Sequence, residues 1–270
     1  MKGVERYRIP PGAKVDLASF DPSETTAFSG GKEKALADLA KLTGRLEALQ
    51  EMLYAQHRHR ILIVLQGMDT CGKDGVIRTV FSRVNPQGVQ VASFGVPTEE
   101  ELDRDYLWRV HAKVPGKGRI VIFNRSHYED VLVVRVNELV PEAVWSRRYG
   151  QIAAFETMLA QEGTTILKFF LHVSKEEQKK RLQERIDDPT KRWKFRKGDL
   201  ATRARWDDHQ AAFKEMIEKT SIEAAPWHVI PSDRNWYRNH LVARIVVDAL
   251  EGLGLRYPEP EEDLSGITID

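Results

Sequence analysis

The chain has 270 residues, with 41 Lys and Arg against 40 Asp and Glu and a net charge of +1. That balance excludes whole-molecule attraction to polyanions, so any basic site must be local. The single cysteine, Cys71, excludes an internal disulfide, residues 1–6 lack a signal peptide's apolar core, and no run is apolar for the roughly twenty residues of a membrane span; a soluble, cytoplasmic protein is expected.

Residues 1–31 carry prolines and glycines with weak periodicity, which predicts an extended arm lying on the surface. From Lys32 onward Leu36, Leu39, Leu42, Leu46, Leu49 and Leu53 recur three or four apart, as in an amphipathic helix. Its apolar stripe packs on the domain's own core or meets a second subunit in a homo-oligomer. Residues 61–65 are an unbroken apolar run, the signature of a parallel strand buried on both faces.

Directly after that strand come Gly67, Met68, Asp69, Thr70, Cys71, Gly72, Lys73, Asp74 and Gly75. Two glycines bracket four residues before a lysine, the spacing of a phosphate-binding loop. Val76, Ile77, Val80, Phe81 and Val84 follow at helical spacing. Amides free at a helix start point into such a loop, and the helix dipole adds partial positive charge there. Lys73 supplies a mobile charge to the phosphoryl group being moved. The hydroxyl residue that usually follows the lysine and holds Mg²⁺ is replaced by Asp74, which makes Asp69 a candidate metal ligand.

Further strands are predicted at 89–94, 119–123, 164–173 and 227–230, with helices at 99–112, 141–161 and 236–253. Each strand is separated by enough chain for a helical crossover, so the fold class is α/β: a P-loop kinase-like parallel sheet with helices on both faces. One domain is expected over 32–258, followed by an acidic tail at 259–270.

Two polar concentrations follow apolar strands. The first is Asn124, Arg125, Ser126, His127, Tyr128, Glu129 and Asp130, where ligands sit in an open parallel sheet. Carboxylates there suit Mg²⁺, with Asp69 and Asp130 sharing the metal because Asn124 is a poorer ligand, and Arg125 neutralises charge on the transferring group. His127 reads as a hydrogen-bonded packing residue. The second, about 178–206, gathers Arg181, Arg185, Lys191, Arg192, Lys194, Arg196, Lys197, Arg203 and Arg205. Asp188-Pro189 breaks the helix there, leaving a helical lid able to fold over phosphates. Pro97, Thr98 and Arg109, with Asn124 and Glu129, are candidates for holding a nucleotide acceptor.

The loop residues, the 123–130 segment, the run Asp187-Asp188-Pro189-Thr190-Lys191-Arg192-Trp193-Lys194 and Arg205-Trp206-Asp207-Asp208 together resemble the polyphosphate kinase 2 family, colinearly from about Arg60 to Leu250. The resemblance implies Mg²⁺-assisted, reversible transfer from inorganic polyphosphate to AMP or ADP, with GMP and GDP as further acceptors and ATP among the nucleotides bound. It makes Asp69 a metal ligand that orients the acceptor, Lys73 a phosphate holder and Arg125 a bridge between donor and acceptor. Arg185, Lys191, Arg192 and Lys194 line the polyphosphate channel. Glu129 beside Asn124 resembles the subgroup that accepts both mono- and diphosphates. Cys71 stands where the family usually shows Ala or Ser, either as a small packing residue or as an oxidant-sensitive thiol. Two other functions fit the loop: an ATP-dependent kinase of a nucleotide or small metabolite, and a P-loop module that binds nucleotide or single-stranded nucleic acid without turnover. No membrane or nucleic-acid partner is expected for the kinase.

Overall fold

The computed structural model describes residues 3–269; Met1, Lys2 and Asp270, at the ends of the predicted arm and tail, lie outside the described residues. In chain order the elements are β1 (Arg8–Ile9), α1 (Gly31–Gln56), β2 (Arg60–Gln66), α2 (Lys73–Val80), β3 (Val89–Ser93), α3 (Glu99–Leu102), α4 (Trp108–His111), β4 (Ile120–Asn124), α5 (Val133–Val136) and α6 (Glu142–Gln161). They continue with β5 (Thr164–His172), α7 (Lys175–Asp187), α8 (Lys197–Ala204), α9 (Trp206–Thr220), β6 (Trp227–Pro231) and α10 (Asn235–Glu251).

The apolar run of β2 is buried from Ile61 to Leu65 because it pairs in parallel with β4 on one side and β5 on the other. The six-stranded sheet has the order β1-β6-β5-β2-β4-β3, parallel throughout except for β1. α10 packs on α1 and α2 and over β5 and β6, while α6 packs on β5 and α9. Strands covered on both faces need no alternation of polar residues, which is why residues 61–65 of β2 and 120–123 of β4 read as continuous apolar runs. The register sets Leu65 beside Asn124 and Gln66 beside Phe170, so the segments leaving β2, β4 and β5 emerge together at one sheet edge.

Two expectations are corrected, and of the two readings of the leucine stripe the packing on the chain's own core is the one found. The N-terminal arm is not merely surface-lying: β1 adds an antiparallel strand to β6, and Tyr7, Ile9, Val15 and Leu17 are buried. The helix expected over 99–112 is two short helices. A capping box between Thr98 and Glu101 starts α3, and the Asp105 carboxylate accepts the Leu107 amide in the turn before α4. The leucine stripe of α1 is consumed inside the chain, Leu39 to Leu53 lying in the core with α10, and only Leu36 of the set is exposed.

Several histidines are packed into this core in the neutral form. Burial pushes the His228 imidazole down to about 4, and moves His172 and His209 the same way. A histidine that resists protonation when folded binds more protons when unfolded, so stability falls as the pH drops from 6.5 towards 4. His228 alone contributes about 3 kcal/mol to that loss. Urea unfolding at a series of pH values should show the slope, and His228→Asn should flatten it.

Candidate active site

β2 delivers the chain into the loop, and the backbone there is held in conformations few side chains tolerate. Gly67 has φ 145° and Gly72 φ 106°, while Thr70 and Arg125 take left-handed values of 65° and 61°. Such strain clusters at functional sites because the surroundings must hold it. A Cβ on Gly67 would lie 2.6 Å from the Leu171 carbonyl, and one on Gly72 would collide with the Arg238 guanidinium. Glycine is required at both places. Gly72 is the left-handed N-cap of α2, whose first amides at Lys73, Asp74 and Gly75 have no intrahelical acceptor.

Lys73 is 9% exposed and reaches back across the loop: Nζ donates to the carbonyls of Gly67 at 2.8 Å and Met68 at 3.3 Å. The other loop carbonyls are also taken from outside. Gln178 donates to Asp69 O, Arg181 Nη1 to Thr70 O, and Arg238 Nη1 to Cys71 O. With its acceptors bound from without, the loop offers its helix-start amides to an anion. Cys71 is fully buried in this packing, which favours the small packing residue over the oxidant-sensitive thiol.

The β4 end meets the loop. Arg125 Nη2 donates to Asp69 Oδ1 at 2.8 Å, and the Arg125 amide donates to Leu65 O. Asn124 Nδ2 donates to Asp74 Oδ1 at 2.9 Å, so the end of β4 is tied to the start of α2 across the site. Burial lifts the Glu129 carboxyl above its ordinary value even though Arg125 and Lys73 draw it down. Asp69, Lys73, Arg125 and Glu129 thus form one electrostatic group.

The turn carrying Arg125 and Glu129 is anchored from below. Ser126 caps a single 3-10 turn, His127–Asp130. Tyr128 donates to Glu156 Oε1 at 2.7 Å and His127 Nε2 lies 3.2 Å from the same oxygen. Lys168 Nζ, 0% exposed, bonds Glu156 Oε2 at 2.6 Å, Tyr128 Oη at 2.9 Å and Thr220 O at 2.6 Å. His127 is therefore a packing residue, as expected, and far more enmeshed than its sequence position suggested.

Asp130 was expected as a second metal ligand and Arg109 as an acceptor contact; the structure joins them elsewhere. Asp130 Oδ1 is 3.1 Å from Arg148 Nη1, and its Oδ2 is 3.9 Å from Arg109 Nη2. Arg109 is buried and also donates to Gly95 O at 3.0 Å. Arg109 thereby ties the 95–98 segment to the β4 turn, and Asp130 Oδ2, buried beside it, keeps no hydrogen-bond partner. Thr98 caps α3 and Pro97 precedes it on that same segment.

The segment expected as a lid, about 178–206, is rooted on the loop. α7 supplies Gln178 and Arg181 to loop carbonyls, and Arg203 of α8 donates to Gln178 Oε1 at 2.8 Å. Burial raises the Asp199 carboxyl, and Asp69 raises it further, which places α8 within electrostatic reach of the loop. The lid cations themselves hold local partners: Lys191 pairs with Asp188, Arg192 with Ile186 O, Arg185 with Lys194 O and Asp199, and Arg205 with Asp208 and Val136 O. Lys194 stacks over the 74%-exposed Trp193.

Sequence reading missed Arg238, Gln178, Lys168 and Glu156. The only signals were a lysine in the middle of an apolar strand and an arginine inside an apolar helix face, each of which demands a buried partner.

A glycine turn between strand and helix, an Arg125–Asp69 pair and a basic helical segment thus stand together at one sheet edge. Residues 30–256 match the family model described as polyphosphate kinase 2. The AMP/ADP-polyphosphate phosphotransferase of Meiothermus ruber is 61% identical over 99% of this chain and 100% of its own. The ADP-polyphosphate phosphotransferase of Rhodopseudomonas palustris is 43% identical over 95% and 92%. The crystal structure of polyphosphate kinase 2 from Arthrobacter aurescens TC1 superposes with a TM-score of 0.94 at 44% identity, covering 98% of this chain and 94% of that one. The geometry and these likenesses agree, and the chain belongs to the polyphosphate kinase 2 family.

Proposed function

We propose that this protein transfers phosphoryl groups reversibly between inorganic polyphosphate and purine nucleotides, using AMP and ADP, and GMP and GDP beside them, as acceptors. The observation that carries the reading is the Asp69–Arg125 pair set against Lys73 beneath a lid whose root grips the loop. The full-length likeness to an AMP/ADP-polyphosphate phosphotransferase supports the choice of acceptors.

In the reaction an oxygen of the acceptor's terminal phosphate forms a bond to the last phosphorus of the polymer. The anhydride bond behind that phosphorus breaks, and a chain one phosphate shorter leaves. The attacking oxygen is already anionic at neutral pH, so no general base is needed, consistent with His127 being sealed in the core. Loop amides and Lys73 hold the transferring group, and Arg125 spans donor and acceptor oxygens, where charge develops. Asn124 and Glu129 form the acceptor wall; Arg109 supports the Pro97-Thr98 rim through Gly95 O. Lid closure would exchange the local partners of Arg185, Lys191, Arg192, Lys194 and Arg205 for polymer phosphates.

Among the described residues no group of three metal-ligating side chains is assembled. That fits Mg²⁺, which keeps waters and takes one or two carboxylates plus substrate phosphates. Asp69 would hold it, with the Arg125-free oxygen available; when bound, the ion neutralises phosphate charge. No helix among the described residues is long and apolar enough to cross a membrane, and a lone buried cysteine suits a reducing cytoplasm. Exposed Leu36, Val96 and Leu102 offer apolar surface for a homo-oligomer.

The deciding assay mixes protein, Mg²⁺, long-chain polyphosphate and AMP or ADP without ATP. Formation of ATP is expected; activity only when ATP is the donor would instead establish an ATP-dependent kinase. Raising salt should increase the KM for polyphosphate more steeply than that for ADP, because a polyanion engages more cations at once. Equal slopes would rule out an extended basic channel.

A further inference from the structure

Arg238 stands on α10, 2% exposed, with its guanidinium directly beneath the phosphate loop. All its partners are neutral. Nη1 donates to Cys71 O at 3.2 Å and Asn235 Oδ1 at 2.8 Å, while Nε and Nη2 both donate to Asn239 Oδ1. Burial pulls its guanidinium down to about 10, and the larger of the charges acting on it is another cation, Arg181, ahead of the opposing Cys71 sulfur. A buried arginine normally faces a carboxylate, because an unpaired charge in the interior is costly.

The loop is shaped around this group. A Cβ at Gly72 would collide with the guanidinium, and one at Gly75 would lie 2.8 Å from Nη2. Gly75 has an ordinary helical backbone with no positive φ, so its lack of a side chain is explained by the arginine rather than by the turn. Both glycines therefore admit a full positive charge immediately behind the amides that open α2. The helix dipole contributes only about half a charge at that place.

We propose that Arg238 is a positioning residue for phosphoryl transfer: it fixes the Cys71 carbonyl outward and supplies a permanent, solvent-shielded positive charge to the loop from behind. The missing counter-ion is the phosphate substrate itself. This rests on the reading of the loop as a phosphate site. A charge delivered through the protein interior escapes the ionic screening that weakens the lid lysines.

The test measures binding of inorganic tripolyphosphate to wild type, Arg238→Gln and Arg238→Lys by calorimetry at pH 7, together with thermal melting. Arg238→Gln keeps amide donors for Cys71 O and removes the charge; its affinity is expected to fall at least about tenfold. Arg238→Lys should recover most of that loss. The wild-type to Arg238→Gln affinity ratio should change less than about twofold between roughly 0.05 and 0.5 M KCl, since buried charge is little screened. Arg238→Gln binding as tightly as wild type, or Arg238→Lys binding as weakly as Arg238→Gln while melting at the wild-type temperature, overturns the proposal. Should Arg238→Gln not fold, Arg238→Lys binding within about threefold of wild type supports it and a tenfold loss overturns it. Wild type failing to bind tripolyphosphate would remove the phosphate-site reading as well.

Discussion

Lys73→Ala is expected to lower kcat about a hundred- to a thousandfold, the range seen when one preorganised charge donor is removed from a developing anion. Lys73 is the residue in the loop placed to do this. Its ammonium sits among the carbonyls of Gly67 and Met68, which hold it across the loop mouth without neutralising it. Removal leaves the fold largely intact, because the loop carbonyls at 69, 70 and 71 keep donors from α7 and α10. The melting temperature should therefore move little while turnover collapses. Lys73→Arg should not rescue fully, since a planar fork cannot occupy the compact position of an ammonium. Steady-state kinetics in both directions check this; a Lys73→Ala enzyme within about tenfold of wild type would place the transferring phosphoryl elsewhere.

Lys168→Ala should destabilise the fold by about 3–5 kcal/mol, because it strands the buried Glu156 carboxylate. Burial would lift that carboxyl, but Lys168 and His127 hold it below its ordinary value, while burial draws the Lys168 ammonium down against the pull of Glu156. Removing the lysine also deprives Tyr128 Oη and Thr220 O of a donor. The melting temperature should drop by roughly 10 °C for a chain of this size. The double substitution Lys168→Met, Glu156→Gln removes both charges and should recover much of the loss. Its activity should stay below wild type, however, because Glu156 anchors the turn that presents Arg125 and Glu129. Urea unfolding of the single and double variants separates the two effects; a Lys168→Ala loss under about 1 kcal/mol would mean the network is not a structural anchor.

The strand over 60–66, the glycine turn and the helix start at Lys73 were readable because consecutive residues alone determine such a unit. The lid was readable as a helix, a Pro-broken turn and a helix. Asp130 and Arg109 show where that reasoning stops: which charges stand beside one another is not written in local sequence. Here they face each other, together with Arg148.

The sequence by itself determined the parallel sheet, the cradle, and the family to which the chain belongs, since each rests on local patterns of apolar runs and spaced glycines. Tertiary structure alone decided that the N-terminal arm becomes an edge strand and that Gly72 and Gly75 lie over Arg238. Arg238 and the Cys71 carbonyl it holds are 167 residues apart. No local pattern selects such a pair; it is chosen when α10 packs under the loop, because a buried charge and a buried carbonyl must each find a partner within reach.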